Sequence, residues 1–294
     1  MSRRTRYLIF ALLALVVGAV ALGSFSWYMG GKLAAPAARE IGGVPDSLVA
    51  LDVTFPSESG AVIRGWISQG WPGQGAVILL HGVRSDRRAM VSRAEFLHKL
   101  GYTVLLIDLQ AHGESSGSHI TLGYLESRDV IAARNFLKTN LPRERVGAIG
   151  VSLGAASIAL TDGKAQLDAV VLESMYPTID EAIEDRLRLR LGAPGTLLAP
   201  LLTLQLEPRL GISTDQLRPI DHVALVGAPL LLIHGTKDQH TLIGEARNVF
   251  ARAVEPKELG EVTDAAHVDL HRFAGEEYER RVSEFLVRFL RPPK

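Results

Sequence analysis

Short apolar runs alternate with longer amphipathic segments along the chain after residue 47. Runs such as AVILL at 76–80 and PLLLI at 229–233 contain no polar residue. Such runs are typical of parallel strands covered on both faces, whereas the first two strands alternate and share a short connection, which favours an antiparallel start. We predict eight strands, at 48–55, 62–68, 76–80, 103–107, 146–149, 169–172, 230–233 and 257–262.

Helical patterns fill the segments between most of these strands, at 87–100, 123–140, 152–160, 243–253 and 277–290. Strand–helix alternation of this kind predicts an α/β fold, a mostly parallel sheet with helices on both faces and right-handed crossovers. In such sheets the functional side chains gather at the carboxyl ends of the strands. The candidate functional residues are therefore expected at that edge.

The N-terminal segment has the composition of a membrane helix. No charged residue occurs from 7 to 31. As a helix, residues 7–29 would extend roughly 34 Å, enough to cross a hydrocarbon core of about 30 Å. Trp27 and Tyr28 lie where an interfacial aromatic belt is expected. We interpret residues 1–32 as a single-pass transmembrane signal anchor.

Charge predicts the orientation of this anchor. Three arginines precede the apolar run and only Lys32 directly follows it, which indicates a cytoplasmic N-terminus and places the domain that follows outside the cytoplasm. A cleaved signal peptide is the alternative, because small residues at 34–38 could supply a cleavage site and release a secreted domain. The length of the apolar run favours the anchor, since signal-peptide cores are about 7–15 residues long.

The rest of the chain divides into a linker and one domain. Residues 33–46 are rich in Ala, Gly and Pro and are predicted to be a linker, and residues 47–294 to form the α/β domain. Residues 175–227 break the strand–helix rhythm, and we expect a helical cap insert there. Within it, residues 191–206 carry no charge but are too short to span a bilayer easily. They could form an apolar lid that touches the membrane or a cap packed only on the core.

Composition narrows the function classes. The 294 residues are 47% hydrophobic, with 32 basic and 32 acidic side chains, which excludes a disordered chain. Residues 1–32 carry +4 and the remainder −4, so nothing in the charge indicates nucleic-acid binding. The absence of cysteine excludes a disulfide scaffold, a thiolate zinc site and a cysteine nucleophile.

One pentapeptide carries a specific chemical signal. Residues 150–154 read GVSLG, directly after a predicted strand and before a helix of small residues. This is the setting of a nucleophile elbow, in which a tight turn exposes the serine hydroxyl and the flanking glycines avoid collisions. Ser152 is therefore the candidate nucleophile, and an ordinary glycine-rich turn is the alternative.

Three further motifs and a late histidine follow the other strands: HGVRSDR at 81–87, DLQAHGESSG at 108–117, HGTKD at 234–238 and His267. With these in this order, the chain resembles the α/β-hydrolase superfamily from about residue 48 to 290. It is most similar to serine hydrolases related to monoacylglycerol lipase and to the serine-aminopeptidase-like group, which includes membrane-anchored members. The resemblance implies an α/β-hydrolase fold and a serine hydrolase that forms an acyl-enzyme.

The resemblance also implies a catalytic triad. The family places its acid after the nucleophile and its histidine last, which indicates Asp238 and His267. His267 would accept the proton of Ser152, and Asp238 would orient the imidazole and stabilise its charged form. Glu173, which follows another strand, is the alternative acid. Asp108 is expected to brace loops.

The backbone N–H groups of Leu153 and Val83 are the oxyanion donors that the resemblance implies. His81 and His234 follow strands and are expected to be structural. Residues 267–271 (HVDLH) superficially resemble a metal cluster, but without a second ligand group we expect no metal site. No phosphate loop or dinucleotide fingerprint occurs, and no cofactor is expected.

The predicted function is a membrane-anchored serine hydrolase of carboxylic esters. Lipid or acylglycerol-like substrates are favoured over small polar ones, because an apolar lid beside a membrane suits acyl chains. The expected partners are an ester substrate and the membrane, and no nucleic acid. An amide or peptide hydrolase, or a non-catalytic binding protein on the same scaffold, are the alternatives.

Overall fold

The computed structural model describes residues 2–291. The strands are β1 Ala37–Ala38, β2 Leu51–Pro56, β3 Val62–Ser68, β4 Ala76–Leu80, β5 Thr103–Ile107, β6 His112–Gly113, β7 Val146–Val151, β8 Ala169–Glu173, β9 Leu230–Gly235 and β10 Lys257–Val262. The helices are α1 Arg3–Ala34, α2 Val91–Lys99, α3 Glu126–Asn140, α4 Leu153–Ala159, α5 Ile179–Leu191, α6 Ala199–Thr203, α7 Leu206–Leu210, α8 Pro219–His222, α9 Ile243–Arg252 and α10 Leu270–Leu290.

Eight strands form one sheet in the order β10-β9-β8-β7-β4-β5-β3-β2. Neighbours from β10 to β5 are parallel, and β3 is antiparallel to both β5 and β2. The turn between β2 and β3 passes through Gly60 at a φ of 86°. A tight turn of this kind joins only antiparallel strands, whereas the parallel pairs need crossovers. The predicted eight-stranded α/β sheet with an antiparallel start is confirmed.

Helices cover both faces of this sheet. On one face α2 and α10 pack through residues such as Leu97 and Phe285. On the other face α3 and α4 pack through residues such as Leu137 and Ile158. Strands β4 and β5 are buried along their whole length as a result. This is the physical reason for their continuous apolar sequences.

The N-terminal helix α1 includes the whole predicted span 7–29 and continues to Ala34. Ser2 caps it by accepting a 3.2 Å hydrogen bond from the Thr5 N–H. The helix is long and apolar enough to cross a bilayer, and its apolar stretch is not covered by the rest of the protein. Its C-terminal turns, in contrast, lie against α6.

The cap insert between β8 and β9 is helical, as predicted, and contains α5 to α8. Thr178 caps the start of α5, because its hydroxyl accepts the Glu181 N–H at 3.2 Å. Gly192, with a φ of 71°, caps its end. The uncharged segment 191–206 folds into a 3-10 turn, Ala193–Leu198, and α6. Each contains a proline in its first turn, where the missing N–H carries no penalty.

The segment predicted as a linker, 33–46, lies against the domain. Its strand β1 pairs with β6, with Ala37 opposite His112. Ala37 and Ile41 are buried. The residues that follow α1 therefore contact the loop after β5, and this has consequences for the site described below.

Two carboxyl groups face each other where α5 of the cap meets α9. Asp185 is buried, and its Oδ2 has no hydrogen-bond donor within residues 2–291. Burial, and then repulsion by Asp185, raises the pKa of Glu245 to about 8. A proton on Glu245 therefore persists at neutral pH and can supply the donor that Asp185 lacks.

We expect this shared proton to make stability depend on pH. The folded-state pKa of Glu245 lies above its ordinary value of 4.5, so its contribution is full below about pH 4.5 and is lost as the pH rises through about 8. Glu245→Gln keeps a neutral donor, and its melting temperature should exceed that of the wild type at pH 9. Thermal melting at pH 5.5, 7 and 9 measures this. The exposed Glu284→Gln is the control, and pH profiles that run parallel for wild type and Glu245→Gln would refute the prediction.

Candidate active site

Ser152 lies in the turn between β7 and α4. Its backbone adopts a φ of 51° and a ψ of −105°, a conformation that costs a residue with a side chain about 1–3 kcal/mol. The turn is held at both ends, because the Ser152 N–H donates to the Glu173 carbonyl at 2.8 Å and the Ser152 carbonyl accepts the Ala156 N–H at 2.9 Å. The strand–serine–helix arrangement predicted from GVSLG is present.

The two flanking glycines are required by close backbone approaches. A Cβ on Gly150 would lie 2.5 Å from the Ala155 nitrogen, within the turn itself. A Cβ on Gly154 would lie 2.5 Å from the carbonyl oxygen of Leu80, at the end of β4. Glycine at these positions therefore lets α4 begin directly beside the loop that follows β4.

His267 and Asp238 form a hydrogen-bonded pair. The Nδ1 of His267 lies 2.7 Å from Oδ2 of Asp238. The other carboxylate oxygen accepts the backbone N–H groups of His240 at 2.8 Å and Thr241 at 3.1 Å. Burial would raise the pKa of Asp238, but its hydrogen bonds to His267 and to these N–H groups outweigh that effect and lower the pKa. Asp238 is thus an ionised acceptor for the Nδ1–H of His267, and within residues 2–291 the Nε2 of that ring has no hydrogen-bond partner.

A chain of contacts brings the His267 loop to the end of the sheet that carries Ser152. Asp269, two residues after His267, pairs with Arg93 at 2.8 Å. Arg93 also binds both carboxylate oxygens of Glu173, at 3.0 and 2.6 Å. The Glu173 carbonyl is the acceptor for the Ser152 N–H. Ser152 makes no side-chain hydrogen bond within residues 2–291, and serine–histidine hydrogen bonds commonly tighten only in the substrate complex.

This network assigns Glu173 a structural position. Its carboxylate is fully buried and also accepts the Tyr278 hydroxyl at 2.5 Å. The alternative acid is therefore engaged by Arg93 and Tyr278, while His267 pairs with Asp238. Arg93 itself carries no signal in the sequence, because an arginine within an amphipathic helix is ordinarily a solvated side chain.

The two proposed oxyanion donors flank Ser152. A Cβ on Gly82, the residue before Val83, would lie 3.8 Å from the Ser152 Cβ. Leu153 is the first residue of α4. Within residues 2–291 the N–H groups of Val83 and Leu153 have no hydrogen-bond acceptor. Two unpaired donors beside a serine hydroxyl form the type of arrangement that stabilises a developing oxyanion.

A model of the alpha/beta hydrolase family matches residues 77–281. The chain belongs to this family. The solved structure of the Pyrococcus furiosus esterase Pf2001 is similar to it, with a TM-score of 0.72 and 28% identity over 87% of this chain and 99% of that one.

Two relatives in sequence extend the comparison. The Bacillus subtilis protein YqkD is 25% identical over 239 residues, 79% of this chain and 77% of its own length. The alpha/beta hydrolase domain-containing protein WAV2 of Arabidopsis thaliana is 22% identical over 258 residues, 83% of this chain and 80% of its own. Family membership and the esterase neighbour support hydrolase activity for this α/β hydrolase.

Buried side chains hold the loop after β4 in the α/β hydrolase. Burial, and then the nearby His112, lowers the pKa of His81 to about 3, so its ring is neutral. Its Nε2 accepts the Leu109 N–H at 3.1 Å, and Nδ1 therefore donates to the Gly82 carbonyl at 2.7 Å. Asp108 accepts the Arg87 N–H at 2.7 Å and the Glu114 N–H at 2.9 Å. Both residues are placed as loop braces.

The residues after α1 brace the same loop. Arg84 follows Val83 with a φ of 57°, and its Nη1 donates to the carbonyls of Lys32 and Ala35, both at 3.1 Å. Arg39 in turn donates to the Arg84 carbonyl at 2.9 Å. The segment next to the proposed anchor is therefore hydrogen-bonded to the loop that carries Val83.

Arg84→Asn should lower kcat about tenfold with little change in KM, because small displacements of a stabilising donor weaken the transition state more than the ground state. Asparagine tolerates the left-handed backbone, so the loss is confined to the side chain. Steady-state kinetics on a soluble ester measures the split. Arg88→Asn is the control, because among the described residues the Arg88 side chain forms its hydrogen bonds and ion pair with Asp86. An Arg84→Asn enzyme with wild-type kcat would contradict the positioning role.

Three further histidines near the site contact other protein groups. His271 lies 3.0 Å from the Ser92 hydroxyl and 2.9 Å from Glu279. His240 stacks on His267 with ring centroids 5.0 Å apart. His234 lies 2.8 Å from the Thr241 carbonyl. Within residues 2–291 no group of three potential ligands is placed to hold a metal ion.

Proposed function

We propose that this protein is a membrane-anchored serine hydrolase that cleaves carboxylic esters. The observation that carries the proposal is the combination of Ser152 on a strained turn with the His267–Asp238 pair at 2.7 Å on the same edge of the sheet. Strained backbone at a buried serine, two unpaired N–H groups and an oriented imidazole are the parts that acyl transfer requires.

The mechanism follows from the geometry. His267, neutral with its proton on Nδ1, accepts the Ser152 proton at Nε2 as Oγ attacks the ester carbonyl. The N–H groups of Val83 and Leu153 stabilise the oxyanion, and Asp238 stabilises the imidazolium. His267 then protonates the leaving alcohol, which yields an acyl-Ser152 ester. Water, activated by the same imidazole, hydrolyses that ester and releases the acid.

The favoured substrates are esters with acyl chains. Helix α1 can hold the domain at a bilayer, and the cap that follows Glu173 is rich in leucine. The esterase Pf2001, which shares 28% identity, supports ester rather than amide cleavage. In the proposed topology the N-terminus is cytoplasmic and the hydrolase domain extracytoplasmic.

The fold of the segment after α1 supports an uncleaved anchor. Ala34 is buried and its carbonyl accepts the Ile120 N–H at 2.8 Å. Ala37 forms part of β1. Cleavage within 34–38 would remove the Ala34 contact or interrupt β1, so these contacts support a permanent anchor over a cleaved signal peptide.

The test uses the full chain in detergent micelles with nitrophenyl esters of two to sixteen carbons and matched nitroanilides. We expect ester turnover that increases with chain length, and covalent labelling by a fluorophosphonate. Faster turnover of anilides than of esters would replace the proposal with an amide hydrolase. Neither turnover nor labelling by folded protein would indicate a binding scaffold.

A further inference from the structure

The C-terminal turns of α1 form a specific interface with the cap. The Ser26 hydroxyl donates to the Leu201 carbonyl at 2.9 Å, and the Gln205 amide donates to the same hydroxyl at 2.9 Å. Both side chains are buried. The Arg209 guanidinium stacks on the Trp27 ring at 4.1 Å and donates to the Trp27 carbonyl at 2.6 Å. The Ser26–Gln205 pair is buried and hydrogen-bonded, and a pair of this kind fixes one geometry between the two parts.

This interface fixes the height of the cap relative to the bilayer. Trp27 and Tyr28 end the apolar span of α1, and aromatic residues at that position lie at the level of the lipid headgroups. Because Arg209 stacks directly on Trp27, helices α6 and α7 lie at the same level. With α1 in a bilayer, as proposed, the cap would therefore lie at the membrane surface.

The same part of the cap exposes leucines. Leu197 is 81% exposed, Leu204 74% and Leu191 56%. Leu197 and Leu204 flank Leu201 in the sequence, and the Leu201 carbonyl receives the Ser26 hydrogen bond. Phe25, which precedes Ser26 on the anchor, is also exposed. Without a partner, apolar side chains this exposed would remain in water. At the level of Trp27 the bilayer around the proposed anchor would supply an apolar partner.

We propose that Leu191, Leu197 and Leu204 insert into the leaflet from which α1 emerges, so that cap and anchor form one lipid-docking surface. The occupant is the bilayer, and the surface would admit ester substrates directly from it. Arg190, exposed at the end of α5, would face the headgroups. The inference rests on the proposed membrane anchoring and deepens the proposed function, since it names the source of the substrate.

The experiment exploits the absence of cysteine. Single-cysteine variants Leu197→Cys and Leu204→Cys of the full chain are labelled with an environment-sensitive fluorophore and reconstituted in phosphatidylcholine vesicles with nitroxide-labelled acyl chains. Leu15→Cys reports on the anchor. Val49→Cys is the matched control: it is 83% exposed, and its carbonyl accepts the Ser68 hydroxyl at the opposite end of the sheet.

We expect a blue shift and nitroxide quenching at 197 and 204, as at 15, and neither at 49. Quenching at 15 without quenching at 197 and 204 would overturn the inference. A blue shift without quenching would place the leucines in a contact between copies of this chain and would also overturn it. Absence of quenching at 15 would instead refute the membrane anchoring on which the inference rests.

A functional arm separates docking from catalysis. In Leu197→Asp/Leu204→Asp, the ratio of vesicle-borne long-chain ester hydrolysis to soluble short-chain ester hydrolysis should fall about tenfold or more, because the two leucines proposed to insert into the bilayer are lost from the lipid contact. Val49→Asp should leave that ratio unchanged. An unchanged ratio in the double variant would overturn the inference. If the wild type hydrolysed neither ester, the proposed function would be refuted. The nitroxide quenching would still show whether the cap leucines enter the bilayer.

Discussion

Ester hydrolysis should fall by about 10⁴-fold or more when Ser152 is replaced by alanine, because the remaining groups have no oxygen nucleophile to activate. Alanine retains the Cβ, so the strained turn at Ser152 is not altered sterically and the fold should persist. Turnover of a nitrophenyl ester and labelling by a fluorophosphonate are the two measurements, and both should disappear in Ser152→Ala.

A second serine provides a matched control. Ser174 follows β8 with a φ of 47°, is buried, and donates its N–H to the Ile233 carbonyl at 3.0 Å, as Ser152 does to the neighbouring strand. It differs in lacking the G-x-S-x-G turn into a helix. Ser174→Ala should keep activity within a few fold. If Ser152→Ala retained turnover while Ser174→Ala lost it, the elbow would be wrongly assigned.

The strands could be predicted because local signals agreed with the tertiary structure. β3, β4, β5 and β10 have the predicted bounds, since an apolar run or alternation ends at turn residues. β7 and β9 extend two residues beyond the prediction, to Val151 and Gly235, because residues 150–151 and 234–235 still pair with the neighbouring strand. Pairing of that kind is a tertiary effect.

Helix α10 extends further towards the N-terminus than the sequence predicts. The helix predicted over 277–290 is present, and a further helical segment that begins at Leu270 precedes it and joins it across a kink at Gly275. Asp269 caps it by accepting the His271 N–H at 3.1 Å, and Gly275 interrupts it at a φ of 45°. A glycine within the first turns weakens the helical pattern, so the start at Leu270 depends on packing that the sequence does not display.

The candidate site likewise contains residues that the sequence indicates and contacts that it does not. Ser152 carries a motif, and Asp238 and His267 have positions that the family resemblance orders along the chain. The bracing of Val83 by residues 32–39, and the contact of α1 with the cap, pair residues 45 to 182 positions apart. Interactions over such separations have no local pattern, and only the folded structure brings them together.

Arg93 should be among the most sensitive positions for stability. Its side chain is 2% exposed and pairs with Glu173, which is fully buried, and with Asp269. Removing one partner of a buried ion pair leaves the other charge desolvated, which costs about 3–5 kcal/mol, whereas removing both is often nearly neutral. Arg93→Met should therefore lower the melting temperature by about 10 °C in a domain of this size.

Thermal melting of the full chain in micelles, followed by circular dichroism, measures this effect. Arg280→Met, which removes an exposed pair with Glu284, is the control and should change the free energy of unfolding by less than about 1 kcal/mol. The double variant Arg93→Met/Glu173→Gln should recover part of the loss, because it leaves no unpaired buried charge on β8. A double variant less stable than Arg93→Met would show instead that Glu173 stabilises the fold through Tyr278 and not through the ion pair.

Arg93→Met should lower kcat together with the melting temperature. Asp269 would lose its ion pair with Arg93, and the loop that carries His267 would no longer be tied to the strand end beside Ser152.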